Sequence, residues 1–215
     1  MDKITSSLAE IGVVPMITLS SPQRDAVHLA GALIRGGVPA AEVTFRAEGA
    51  EHAIHAMRVE YPEMVVGAGT VLTVEQVDTA YAAGAQFIVS PGFSADIVKR
   101  CQQLELPVYP GCSTATEIQA ALACGLRVLK FFPAAACGGV SAIQALSGPF
   151  PMVRFIPTGG ISPENLKSYL SCKPVCACGG SYMAPARLIE TGAWDRISEL
   201  CRAARDTVLE VRNNG

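Results

Sequence analysis

Long apolar runs are missing from this chain of 215 residues: none approaches the roughly 18 needed to cross a bilayer. The opening MDKITSSLAE lacks the basic-then-apolar order of a secretory leader. The expectation is a cytoplasmic protein without membrane contact. A dominant charge sign is missing as well. With 17 Lys and Arg against 19 Asp and Glu, scattered rather than clustered, the net charge is −2. Such a surface has no general attraction for nucleic acid or anionic lipid, so a small soluble molecule is the expected partner. Linkers, charge blocks and low-complexity tracts are absent too, which argues for one uninterrupted domain over residues 1–215.

Cysteine and hydrophobic content are plentiful by contrast. Residues of hydrophobic type make up 50% of the chain, ample for a sizeable core. The eight cysteines, at 101, 112, 124, 137, 172, 176, 178 and 201, lie mostly within apolar stretches. A chain of this size needs no covalent staples, and we read them as reduced, mostly buried thiols. Cys176 and Cys178 form a C-x-C pair with no matching Cys/His pair elsewhere, which speaks against a metal site. His28, His52 and His55 fall in helical segments away from every motif below and are expected at the surface.

Eight short apolar, β-branched runs recur along the chain. They are VVPMITL (13–19), AAEVTFR (40–46), VVGAGTV (65–71), QFIVSP (86–91), PVYPG (107–111), RVLKFFP (127–133), VRFIPTGG (153–160) and PVCACGGS (174–181). Helical patterns separate them, with Ser21-Pro22, Thr73 and Ser162-Pro163 as start signals. The final segment, WDRISELCRAARDTVLEV, repeats apolar residues at 194, 197, 200, 201, 204 and 208, a stripe that must pack on the rest. Eight βα units predict an α/β chain folded as a (β/α)8 TIM barrel, with residues 1–11 as an extra helix across its bottom. The rival is an open doubly wound sheet. GAGT (67–70) hints at a dinucleotide loop but lacks the full G-x-G-x-x-G.

In such a barrel, polar residues at the C-terminal strand ends are the functional candidates. Strand side chains alternate faces, so Glu42, Thr44 and Arg46 share one face, while Val43 and Phe45 share the other. The same parity groups Val128, Lys130 and Phe132. Glu42 and Lys130 therefore both point into a largely apolar interior. Of the five lysines (3, 99, 130, 167, 173), Lys130 alone is embedded in an apolar strand. Burial disfavours a charged amine, and a neutral amine can attack a ketone to form a Schiff base, with a carboxylate nearby to move protons. The iminium nitrogen then serves as electron sink, so no metal or cofactor is required. The alternative is a purely structural ion pair, which is seldom more stabilising than an apolar pair of similar volume.

Two anion sites accompany the lysine. Arg46 ends the second strand and offers a planar fork for a carboxylate, with the hydroxyl of Thr70 nearby in order. Thr158-Gly159-Gly160 and Gly179-Gly180-Ser181 end the last two strands, where this barrel often cradles phosphate on backbone N–H groups. Together they describe a substrate with a carboxylate and carbonyl at one end and a phosphate at the other.

EVTFR (42–46), GAGTVL (67–72), SPG (90–92), PGCSTATE (110–117), KFFPA (130–134), GPF (148–150), PTGGISPEN (157–165) and GGS (179–181) resemble, in order and spacing, the bacterial 2-keto-3-deoxy-6-phosphogluconate (KDPG) and 4-hydroxy-2-oxoglutarate (KHG) aldolases. The resemblance spans nearly the whole chain. It implies a class I aldolase with Lys130 as Schiff-base lysine and Glu42 as general acid/base. It further implies that Arg46 and Thr70 hold the pyruvyl carboxylate, that Pro91 and Phe132 line the pocket, and that Thr158 lies near the substrate hydroxyls. Gly159, Gly160, Gly180 and Ser181 would bind phosphate. The implied reaction releases pyruvate and glyceraldehyde 3-phosphate in the Entner–Doudoroff route, and the implied assembly is a homotrimer. A sister group acts on the galactonate epimer; PTGG with SPG is closer to the gluconate enzymes. Phe45 stands where leucine is common and Cys112 where isoleucine is. A phosphate-binding barrel isomerase, with Lys130 only an electrostatic partner, is the other enzyme alternative.

Overall fold

Each of the eight apolar runs contains a strand, in every case shorter than the run itself: the following loop takes the last residues, and in 86–91 and 174–181 the strand also begins late. The computed structural model describes residues 2–213, so Met1 and the last two residues of the expected domain lie outside it. The strands are β1 (Val13–Ile17), β2 (Ala40–Thr44), β3 (Val65–Gly69), β4 (Ile88–Ser90), β5 (Val108–Pro110), β6 (Val128–Phe131), β7 (Arg154–Pro157) and β8 (Cys178–Gly180). The helices are α1 (Lys3–Ile11), α2 (Pro22–Arg35), α3 (Ala50–Glu60), α4 (Val74–Ala82), α5 (Ala95–Gln103), α6 (Ala115–Ala123), α7 (Gly139–Ser147), α8 (Pro163–Leu170), α9 (Ala186–Glu190) and α10 (Trp194–Asn213).

All strand pairs are parallel, in a six-stranded sheet of order β5-β4-β3-β2-β1-β8 and a two-stranded sheet of β6 and β7. Single bridges span the two junctions, Gly111 to Lys130 on one side and Phe155 to Val175 and Thr158 to Gly179 on the other. The ladder thins there because prolines interrupt the donors: Pro107 and Pro110 flank or end β5, while Pro157 ends β7 and Pro174 precedes β8. The strands curl regardless. Glu42 on β2 and Lys130 on β6 belong to different sheets, yet their side chains meet at 3.5 Å.

Helix α1 closes one end of this curl. Asp2 caps it through a 2.8 Å bond from Thr5 N, and Thr5 Oγ1 donates to Asp2 Oδ2 at 2.5 Å. With its proton so used, Thr5 accepts from the buried Tyr109 hydroxyl at 2.8 Å, and Leu8 reaches the interior beside Val14, Phe87 and Tyr109. The expected bottom helix is therefore a floor. Its C-terminal carbonyls would otherwise lack partners, and α10 supplies them: Arg205 donates to Glu10 O and Ile11 O, both at 2.8 Å, and Arg212 donates to Ala9 O and Glu10 O. The stripe on α10 buries Ile197, Cys201, Ala204 and Val208 as expected. Ser198 joins them by donating to Ala32 O at 2.8 Å, while Trp194 and Leu200 remain half-buried.

Candidate active site

Strand parity brings Glu42 and Lys130 to the interior, each only 3% exposed. Among the described residues each is the other's one hydrogen-bond partner, Nζ to Oε1 at 3.5 Å. The ammonium also lies 5.0 Å from the centroid of the Phe132 ring. At this separation the attraction is about 5 kcal/mol for an effective dielectric of about 20, against a desolvation cost of several kcal/mol for each ion. The pair does not repay its burial in folding stability.

Glycines make room for it. A Cβ at Gly69 would run into the Glu42 carboxylate, and one at Gly67 would strike the Phe87 ring. The G-x-G of β3 is thus a packing device that lets two large side chains share the interior, and the hint of a dinucleotide loop falls away.

Arg46 is exposed beyond β2, with Nε donating to Thr70 Oγ1 at 3.3 Å and Nη2 to Met16 Sδ at 3.3 Å. No carboxylate pairs with it among the described residues, which leaves its charge available to an anion. Thr70 holds a left-handed conformation, φ 55°, that a β-branched residue rarely adopts, at a cost of order 1–3 kcal/mol. Arg46, Ser181, Met16 and Thr18 line one cavity of about 390 Å³.

Of the remaining candidates, Thr158 shares a cavity with Lys130, and Ser181 lines the cavity of Arg46 instead. Thr158, 1% exposed, lines the inner cavity with Glu42 and Lys130, and its hydroxyl has only a long 3.4 Å bond to Ile156 O. Gly159 and Gly160 both take positive φ, 95° and 78°, and pack against Phe132 and Ala135 respectively. Ala134 N and Ala135 N donate to Thr158 O (2.8 Å) and Gly159 O (3.0 Å), locking the loop after β6 onto the loop after β7. Pro91 is set by its carbonyl, which lies where a Cβ on Gly111 would sit; Gly111 in turn bridges to Lys130. Gly180 is buried at the end of β8, and Ser181 beyond it is exposed to the cavity of Arg46.

The other nucleophiles are out of play. All eight cysteines are free, and burial pushes the Cys112 thiol up to about 12. The three histidines are exposed on α2 and α3, and no group of three or more His, Cys, Asp or Glu able to hold a metal occurs among the described residues.

A family model for "KDPG and KHG aldolase" matches residues 4–200. The chain belongs to this aldolase family. A 2-dehydro-3-deoxy-phosphogluconate aldolase of Treponema pallidum is 48% identical over 200 residues, 93% of this chain and 95% of the relative. The KHG/KDPG aldolase of Escherichia coli K12 is 48% identical over 192 residues, 89% of this chain and 90% of that one. Among solved structures, the KDPG aldolase of Legionella pneumophila is 38% identical with a TM-score of 0.91, covering 94% of this chain and 98% of that one. In it, pyruvate was captured at low pH as a covalent carbinolamine intermediate.

Several residues around the aldolase pocket escaped the motif reading. Gly69 was legible only as part of GAGT, and Tyr109 and Leu8 gave no signal because their role depends on α1 folding back. Met16 and Thr18 were within reach. The parity that pairs Glu42 with Arg46 also aligns Val14 and Met16 on β1 with Thr18 just beyond it, and Val14 lines the inner cavity while the other two line the outer one.

Proposed function

We propose that this protein is a class I aldolase that reversibly cleaves KDPG to pyruvate and glyceraldehyde 3-phosphate, and also cleaves KHG to pyruvate and glyoxylate. The observation that carries this reading is the Lys130 amine, buried in an apolar interior with only the Glu42 carboxylate at 3.5 Å. Lys130 Nζ attacks the C2 carbonyl, and Glu42 passes protons as the carbinolamine loses water to become an iminium ion. Glu42 then accepts the proton of the C4 hydroxyl. The C3–C4 bond breaks, its electron pair moves into the iminium as an enamine, and the aldehyde leaves. Protonation at C3 and hydrolysis release pyruvate and restore the amine, with no cofactor.

Around this step, Arg46 and Thr70 hold the carboxylate, Pro91 and Phe132 line the pyruvyl pocket, and Thr158 meets the substrate hydroxyls. Gly159, Gly160, Gly180 and Ser181 take the phosphate on backbone and hydroxyl donors. The two glycines after β7 carry no side chain to hold an anion away from their amides, which supports that role. We assign the gluconate rather than the galactonate epimer, in keeping with the higher likeness to the Legionella enzyme than to a native KDPGal structure at 30% identity and TM-score 0.85. The eight strands act as one closed (β/α)8 barrel in a single domain, working as a homotrimer in the cytoplasm within the Entner–Doudoroff route. No helix is long and apolar enough to cross a membrane among the described residues.

The deciding experiment is reduction with borohydride in the presence of pyruvate, followed by digestion and mass spectrometry. An adduct on Lys130 alone is expected, and Lys130→Met should abolish both adduct and cleavage. A folded protein that forms no adduct would transfer Lys130 to an electrostatic role and favour an isomerase.

A further inference from the structure

Thr44 lies on the inner face of β2 between Glu42 and Arg46 and is 1% exposed. Its hydroxyl sits 2.7 Å from that of Thr18, just beyond β1, and among the described residues neither hydroxyl has another partner. Two hydroxyls sharing one hydrogen bond use one proton and leave one free. Burial decides which. If Thr18 donated, the Thr44 O–H would be enclosed without an acceptor, at a cost of about 1–3 kcal/mol. Thr44 therefore donates, and Thr18, which is exposed, keeps its own proton for the cavity it shares with Arg46. The bond it accepts also polarises its O–H and makes it a better donor.

What that proton faces follows from Met16. Arg46 Nη2 rests on Met16 Sδ at 3.3 Å, a weak acceptor, and Met16 on β1 and Thr18 just beyond it line the same cavity as Arg46. An anion that takes the place of the sulfur on Nη2 sits in the cavity that Thr18 lines. We propose that Thr18 is a specificity-determining residue, held in aim by Thr44, that donates a hydrogen bond to the substrate carboxylate gripped by Arg46. The proposal rests on the aldolase reading above. It makes the carboxylate site a three-residue cradle of Arg46, Thr70 and Thr18.

Pyruvate has the carboxylate and no phosphate, so it isolates this end of the substrate. Calorimetric titration with pyruvate should give a dissociation constant about tenfold higher for Thr18→Val than for the wild type, the loss expected for one donor to a charged acceptor at a wet site. Thr18→Ser should stay within twofold. Thr44→Val should also weaken pyruvate, by less than Thr18→Val, since the donor remains but its aim is lost. A pyruvate dissociation constant unchanged in Thr18→Val overturns the proposal, as does a defect seen only with the phosphorylated substrate, which would put Thr18 at the other end. Borohydride trapping separates the two readings: a wild type without adduct refutes the imine alone, and an unchanged constant in Thr18→Val refutes the role of Thr18 alone.

Discussion

Replacing Gly69 by alanine tests whether the position of the Glu42 carboxylate, and not merely its presence, sets the rate. The added Cβ would lie 2.5 Å from Glu42 Cγ and 2.7 Å from Cδ, where ordinary contact begins at 3.4 Å. Glu42 Oε1 would be nearer still, so the side chain must retreat by about 1 Å, and a misplacement of about 1 Å at a reacting group can cost about a hundredfold in rate. Neither the backbone nor the charge changes: Gly69 is an ordinary strand residue paired with Thr44. Crowding should cost about 1–3 kcal/mol, a fall of roughly 2–4 °C in melting temperature per kcal/mol for a chain of this size. The control is Gly67→Ala, whose Cβ meets the Phe87 ring instead. It should lose comparable stability with a much smaller loss of kcat. Initial rates of pyruvate release and thermal melts of both variants provide the comparison. Equal kcat in the two variants, or a wild-type kcat in Gly69→Ala, would refute the claim that Glu42 works from a fixed position.

Two further outcomes follow from the titrating groups. Burial pushes the Cys101, Cys112 and Cys201 thiols up to about 12, so at pH 8 almost none is thiolate, whereas Cys124 and Cys137 are half-exposed. Alkylation of the native protein should modify Cys124 and Cys137 first, and labelling of Cys112 at the rate of Cys137 would contradict the packing. Burial pushes the Glu117 carboxyl up, but donors from Ser113 and Thr114 outweigh it and hold it below its ordinary value of 4.5. The stability these bonds give is present above the ordinary carboxylate range and lost as pH falls through the lowered folded value. Glu117→Ala should cost about 1 kcal/mol at pH 7, read as a lower melting temperature, and the gap from wild type should close in acid. A gap independent of pH would show that the carboxylate charge has no part in it.

The eight strands could be read from the sequence because each buried run is short, β-branched and bounded by a turn residue, and the two catalytic candidates because a strand's period of two leaves no freedom in which face they share. The limits of legibility lie in what that period does not encode. The run 86–91 holds only the three-residue strand β4, since Gln86 and Phe87 precede the strand and Pro91 begins the loop. The split into two sheets comes from prolines whose lost donors matter only once strands are neighbours. Tyr109 reads as one more core aromatic, and only the return of α1, with Thr5 and Asp2, makes it part of a floor beneath the lysine. Gly69 looks like a phosphate-loop glycine until the side chain that fills the space beside it is known to be Glu42.

Folding stability does not account for so costly a pair in the interior. For folding alone, two charges 4% exposed and joined by one 3.5 Å contact do no better than a leucine and a methionine would. Nor is the surrounding wall built to rescue them: Val14, Phe87, Val89 and Ile156 offer no second hydrogen bond to either group. An interior that keeps the amine and the carboxylate loosely joined is ready to exchange that single contact for bonds to a substrate. The strained Thr70 and the unpaired Arg46 at the mouth have the same character. In each case a group is held slightly short of satisfaction, and on the aldolase reading proposed above one keto acid, with its carbonyl at Lys130 and its carboxylate at Arg46, satisfies both.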